Sequence, residues 1–314
     1  MGSSRRVAIA GLSIVALLAG ACAPVELSAR PSTSPRQSSS PSASATQTST
    51  PSPSPSPSSS PSQSATSTPS PTPTHLPTEL MPGTNHNYAA EAYAYPAKLV
   101  QKWLRGKKEA DEKVVFLTFD DGPNHSITPE ILDILAEEKV PATFFLVGSE
   151  IEDAPNMLER QIAEGHAIAL HSYTHDYSKL YPGRYADAAR VAKEFDDTLA
   201  EVRAVLGEDF STGAWRYPGG HMSWKSMEGA DKALKKRGAS WIDWNCMTGD
   251  AEPASRRPTT VSGMLSMATD PIDDDVKVAV VLAHDSIGKD LTVKSLRKII
   301  KAYKEAGYTF GVIS

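Results

Sequence analysis

Two carboxylates stand side by side in Thr118-Phe119-Asp120-Asp121-Gly122-Pro123, and two histidines stand four residues apart in His171-Ser172-Tyr173-Thr174-His175. A carboxylate pair and a histidine pair together can hold a divalent metal, and that combination points to hydrolysis. Histidines at i and i+4 share one face of a helix, although a loop supplies the same convergence. Asp, Gly and Pro also favour a turn, and a turn carrying the carboxylates satisfies both readings.

The elements around these residues must deliver them to one place. Val114 to Phe119 is a continuous apolar, β-branched run suited to a strand buried on both faces, and it stops at the paired aspartates. Thr128-Pro129-Glu130 opens a helical pattern through Ile131, Leu132, Ile134 and Leu135. Strands are expected at 142–147 and 167–170, the second delivering His171, then at 213–217, 240–245, 276–282 and 308–313. Helices are expected at 157–163, 186–206, 225–237, 259–268 and 291–306. This alternation implies a mostly parallel α/β fold. A doubly wound sheet shares the pattern, but five separate strand ends carry candidate site residues, which favours a barrel with its site on the C-terminal face.

Outside this region the composition changes. Arg5-Arg6 and the apolar run Val7 to Ala21 read as an export signal too short to span a bilayer comfortably. Leu18-Ala19-Gly20-Ala21-Cys22 resembles the lipobox of bacterial lipoproteins, so Cys22 is expected to carry lipid, an ordinary secretory cut being the alternative. Ser, Pro, Thr and Ala then dominate to about Pro77, a composition with too little apolar area to offset the entropy of ordering. The expected organisation is therefore a signal segment over 1–22, a disordered spacer over 23–84, a lead-in over 85–110 and a catalytic domain over 111–314. With only Cys22 and Cys246 present, the core must be stable without disulfides. A net charge of −5 argues against general nucleic-acid binding, and Lys98, Lys102, Arg105, Lys107 and Lys108 read as a solvated helix face. No obligate protein partner is indicated.

Five motifs in order then resemble the polysaccharide deacetylase, or NodB-homology, family of carbohydrate esterases. They are Thr118-Phe119-Asp120-Asp121, His171 to His175, Arg216-Tyr217-Pro218-Gly219-Gly220, Trp244 to Asp250, and Leu282-Ala283-His284. The resemblance covers about Lys113 to the C-terminus and implies an α/β fold, a distorted (β/α)7 barrel, that removes acetyl groups from N-acetylhexosamine polymers or, in some members, from acetyl esters.

It also implies roles. Asp121, His171 and His175 would be the metal ligands, leaving a position for water as catalytic sites do. Asp120 would be the base, with Arg216 pairing to fix and lower its carboxylate. The Gly219 N–H would stabilise the tetrahedral oxyanion. Many relatives have tyrosine at that position, so glycine is expected to widen the pocket. His284 would be the general acid with Asp250 as its carboxylate partner, and Asp285 a helix-start or loop residue. Tyr217, Trp244 and Trp215 are candidates for a sugar-facing wall, core packing being the other reading for Trp215. His166 is expected to be structural, His125 and His221 loop or rim residues, and His75 and His86 too near the spacer for a site role.

Zn2+ suits two histidines and one aspartate, with Co2+, Ni2+ or Mn2+ as alternatives. The expected reaction is N-deacetylation of a cell-wall glycan, foremost the N-acetylglucosamine of peptidoglycan, by an enzyme held outside the cytosol at the membrane through a lipidated Cys22. Chitooligosaccharide, another surface glycan and acetylated xylan are alternative substrates. A non-catalytic carbohydrate-binding surface protein is the alternative of another class.

Overall fold

The computed structural model describes residues 75–314, so the export segment, Cys22 and most of the Ser/Pro/Thr-rich tract lie outside the described residues. The chain enters through a short strand, Ala94–Tyr95 (β1), and a helix, Ala97–Leu104 (α1). Strand and helix units follow: Val114–Asp120 (β2), Ile127–Glu138 (α2), Thr143–Leu146 (β3), Pro155–Ala163 (α3), Ala167–Leu170 (β4), Tyr177–Leu180 (α4) and Ala188–Leu206 (α5). Then come Ala214–Trp215 (β5), Glu228–Lys236 (α6), Ser240–Trp241 (β6), Cys246–Met247 (β7), Val261–Asp273 (α7), Val278–His284 (β8), Asp290–Glu305 (α8), Thr309–Phe310 (β9) and Val312–Ile313 (β10).

The strands form a curled parallel sheet in the order β6-β5-β4-β3-β2-β8-β7, with β9 pairing with the start of β2 and β10 pairing with β1. This is the expected distorted (β/α)7 barrel, with two differences: the strand expected over 308–313 is split into β9 and β10, which pair with β2 and β1, and the one expected over 240–245 is shorter. Of the strand expected over 240–245 only Ser240–Trp241 forms, and a further strand, Cys246–Met247, lies beyond it at the opposite edge of the sheet, Trp241 pairing with Trp215 and Cys246 with Val281. Residues 242–245 cross the gap without a ladder. Asn245 fixes the crossing, its side chain donating to the Val278 carbonyl at 2.8 Å and accepting from the Val280 N–H at 2.8 Å.

Alternation along the strands divides the interior into two cores. Val115, Leu117, Phe119, Phe144, Leu146, Ile168, Leu170, Trp215, Val281 and Ala283 pack with the helices. Val114, Phe116, Phe145, Ala169, Ala214, Val278 and Val280 face the other way and pack with Ala97 and Val100 of α1. The helices earn their faces by spacing: in α5, Val191, Phe195, Thr198 and Val202 are buried, and the Asp187 side chain caps the start by accepting from the Ala189 and Arg190 N–H groups.

The lead-in is part of this fold. Asn85 is buried and donates to the carbonyls of Ile168 and Ile313, both at 2.9 Å, and Gly83 donates to the Asp209 carbonyl at 2.7 Å. The folded region therefore includes residues placed in the spacer and lead-in on composition alone. His86, set aside for its nearness to the spacer, is likewise buried, its ring bonded to Asn85 and Glu91. Lys98, Lys102, Arg105, Lys107 and Lys108 are all exposed, but only Lys98 and Lys102 lie on the helix, the other three following its end.

Candidate metal centre and active site

Asp120, His171, Arg216 and His284 lie at the C-terminal ends of four strands or one residue beyond, and all share the strand face opposite the helices. Asp120 and His284 are register partners on adjacent β2 and β8, so both side chains emerge side by side. Asp121 turns away with φ 75°, and Ser172 and His175 are also left-handed, at φ 74° and 49°. Non-glycine residues held there cost of order 1–3 kcal/mol each, and such strain clusters at functional sites.

The histidine pair is carried by a loop, not a helical face. Glu194 of α5 holds that loop: its carboxylate accepts the Tyr173 and Thr174 N–H groups at 3.2 and 3.0 Å and the Thr174 hydroxyl at 2.7 Å. The Ser172 hydroxyl accepts the His175 N–H at 3.0 Å.

One ligand atom from each of Asp121, His171 and His175 lies within 4.8 Å of the others. The Asp121 Oδ1 is 3.6 Å from the His171 Nε2 and 3.3 Å from the His175 Nε2. His171 Nδ1 is 2.8 Å from the Arg216 carbonyl. A carbonyl only accepts, so Nδ1 carries the proton and Nε2 turns its lone pair toward Asp121. Burial, reinforced by His175, pushes the His171 pKa down to about 3 and keeps the ring neutral. The buried Asp121 Oδ1 has no hydrogen-bond partner among the described residues. A neutral imidazole and an orphaned carboxylate oxygen fit a divalent cation.

Asp120 flanks this cluster, with Oδ2 3.6 Å from the His171 Nε2. Its Oδ1 accepts from Arg216 at 2.7 Å. Arg216 is fully buried and also donates to the Thr118 hydroxyl at 2.8 Å and the Ile242 carbonyl at 3.0 Å, while its guanidinium sits 4.0 Å from the centre of the Phe145 ring. The expected pairing is therefore present, but its expected lowering effect is outweighed. Burial raises the Asp120 pKa, and Arg216, though it opposes this, leaves the net shift upward.

On the other flank, His284 Nδ1 meets Asp250 Oδ1 at 2.8 Å, and Asp250 Oδ2 accepts the His284 N–H at 2.9 Å and the Thr292 hydroxyl at 2.7 Å. Burial acts to raise Asp250, but its bond to and charge attraction with His284 hold it at about 2. Burial acts to lower His284, and Asp250, with help from Asp121 and Asp120, raises it overall. Asp285 stands in the loop after β8, as expected, but it is fully buried, accepts the Thr128 hydroxyl at 2.6 Å, and burial pushes it up to about 7. It packs so close to Gly122 that a Cβ there would lie 2.2 Å from the Asp285 Oδ2.

The aromatic wall needs correction. Tyr217 and Trp215 face the helices and are fully buried, and the Tyr217 hydroxyl donates to Asp231 at 3.0 Å. Neither can reach a sugar. Trp244 is half-buried and lies against Gly220, where a Cβ would come within 2.9 Å of its ring. Gly219 does not widen the pocket, because Trp224 and Tyr177 occupy the space beside it: a Cβ there would lie 3.3 Å from Trp224 and 3.4 Å from the Tyr177 hydroxyl. The Gly219 N–H enters no hydrogen bond among the described residues, while its carbonyl accepts from Ser223 at 2.7 Å. His166 is structural, accepting the Ala142 N–H at 3.1 Å, and its pKa is pushed by burial to about 3.

Glu194, Thr118, Thr292, Tyr177 and Trp224 were not singled out in the sequence. Glu194 had a signal, a charge on the apolar stripe of a helix whose buried positions include 191, 195, 198 and 202.

A family profile described as "Polysaccharide deacetylase" matches residues 107–236. The chain is 32% identical over 214 residues to a peptidoglycan-N-acetylglucosamine deacetylase of Bacillus cereus, covering 64% of this chain and 69% of that protein. It is 32% identical over 211 residues to a bifunctional xylanase/deacetylase of Pseudobutyrivibrio xylanivorans, covering 67% of this chain but spanning only 31% of that longer protein. Among solved structures it resembles a CE4 esterase of Streptococcus mutans, with 47% identity and a TM-score of 0.72, over 76% of this chain and 100% of that one. With the curled parallel sheet and the ordered strand-end residues, these likenesses establish that the chain belongs to the polysaccharide deacetylase family.

Proposed function

We propose that the protein is a metal-dependent hydrolase that removes the N-acetyl group from N-acetylglucosamine residues of peptidoglycan. The observation that carries this reading is the Asp121, His171 and His175 cluster, flanked by buried Asp120 and by the His284–Asp250 pair. A divalent cation held by Asp121, His171 and His175, foremost Zn2+, would supply Lewis-acid polarisation of the acetyl carbonyl and acidify water. Asp120 takes a proton from the attacking water, and its burial strengthens it as a base while Arg216 fixes its orientation. The Gly219 N–H, unpaired among the described residues, stabilises the oxygen that becomes negative as the carbonyl carbon turns tetrahedral. His284, whose pKa Asp250 helps to raise, gives a proton to the departing nitrogen. One water is consumed, the C–N bond breaks, and acetate and a free amine result.

The peptidoglycan assignment is supported by the printed activity of the Bacillus cereus relative and by the export signal, lipobox-like Cys22 and spacer of the sequence. These fit an enzyme anchored at the outer face of the membrane and reaching the wall. Acetate release from peptidoglycan, chitooligosaccharide and acetylated xylan, measured before and after chelation and Zn2+ restoration, tests the reading. Restorable release from peptidoglycan is the expected result. Release from another polymer alone would reassign the substrate, and a zinc-loaded, folded protein that binds glycan without releasing acetate would make it a carbohydrate-binding protein.

A further inference from the structure

The backbone at Gly219 has φ 76°, a conformation in which an L side chain is strained, so this strand end supplies no aromatic ring of its own. Two other elements supply one. Tyr177 starts α4 two residues after His175, and the Asp176 side chain fixes that start by accepting from the Ser178 N–H at 2.9 Å. The Tyr177 ring lies 5.3 Å from the His175 ring and meets Trp224 edge-on at 5.2 Å. Trp224 is itself held, stacked on Tyr181 at 4.0 Å and donating its indole N–H to the Pro218 carbonyl at 2.8 Å. Tyr177 nonetheless remains 45% exposed, and its hydroxyl, beside Gly219, makes no hydrogen bond among the described residues.

We propose that Tyr177 is a substrate-contacting residue of this site. Its hydroxyl hydrogen-bonds an N-acetylhexosamine unit seated over the metal cluster, and Trp224 holds the ring in place. A phenol combines an apolar face for sugar carbons with a polar tip for a hydroxyl or amide, and here it is rigid before substrate arrives. The inference rests on the deacetylase reading and specifies the sugar side of the same site.

The test compares the protein with its Tyr177→Phe and Tyr177→Ala variants on an N-acetylglucosamine oligomer and on 4-nitrophenyl acetate, an acetyl donor without a sugar. Loss of one hydrogen bond to substrate predicts a fall of about 10-fold in kcat/KM on the oligomer for Tyr177→Phe, with ester hydrolysis changed less than about two-fold. Equal losses on both substrates would show that Tyr177 acts through the metal loop, and no loss on either would show that it touches nothing; both overturn the proposal. Should the unaltered protein release no acetate from the oligomer, the deacetylase reading fails for that sugar, and calorimetric binding of the oligomer decides the contact. Affinity weakened about 10-fold by Tyr177→Phe sustains it, whereas unchanged or absent binding overturns it.

Discussion

Asp120 and Asp121 are adjacent and chemically identical, and their different surroundings suit them to the different tasks proposed for them. Asp121 Oδ1 faces two imidazole nitrogens and has no hydrogen-bond partner among the described residues, whereas Asp120 is held by Arg216 and its burial raises its pKa against the pull of that guanidinium. Asp120→Asn preserves the shape of the site, so it is expected to keep bound zinc while lowering turnover by about 10²–10⁴-fold, measured as acetate release and metal content. Loss of the metal in that variant would instead place Asp120 among the ligands. The flanking pair makes a separate prediction about pH. In the proposed mechanism His284 must be protonated to act as the acid, and Asp250 raises its pKa, so the active range is expected to extend upward until His284 loses its proton. Asp250→Asn removes that support, and the alkaline limb of the kcat/KM profile should move to lower pH. An unmoved limb would mean that His284 is not the group whose deprotonation ends activity.

Three strained loop residues present the proposed metal ligands, and a helix several turns long pins the loop that holds two of them. Glu194 is wholly buried and accepts three hydrogen bonds from Tyr173 and Thr174, so its charge is matched by the loop it positions. Glu194→Ala is expected to weaken Zn2+ affinity by about 10–100-fold in competition with a chelator, as outer-shell losses do, and undiminished affinity would show that the loop holds itself. Much of this layer was legible in the sequence. The strand at 114–120 and its aspartates, the strand delivering His171 and the long α5 all stand where periodicity puts them. Alternation held a further signal: if Arg216 faces the site, Trp215 and Tyr217 must face away, as they do. The break between Trp241 and Cys246 was not legible, because both halves are apolar and only the curvature of the sheet sends them to opposite edges. Nor was the aromatic pair beside Gly219, since Tyr177 and Trp224 are 47 residues apart and meet only in the folded chain.

At the scale of the whole molecule, the segment before the first motif closes the end of the barrel remote from the site. Ala97 and Val100 of α1 cover Val114, Phe116 and Val280, and β1 pairs with β10, so the start of the folded region is bound to its end. Asn85 joins three distant parts through its side-chain amide, donating to Ile168, Ile313 and the Thr212 hydroxyl, the last at 3.3 Å. Composition hid this, because Asn, His, Gly and Pro near a Ser/Pro/Thr tract read as loop, while their value lies in bonds to residues more than 80 positions away. Asn85→Ala leaves buried carbonyls of Ile168 and Ile313 without this donor and should cost about 2–3 kcal/mol. For a domain of this size that lowers Tm by roughly 5–10 °C. A chain starting at residue 111 should fare worse, because it uncovers Phe116 and Val280 and strips β10 of its partner. It should lose the cooperative thermal transition that a chain starting at residue 73 retains. If both chains melt cooperatively at the same temperature, residues 73–110 are an appendage and the catalytic fold is complete without them.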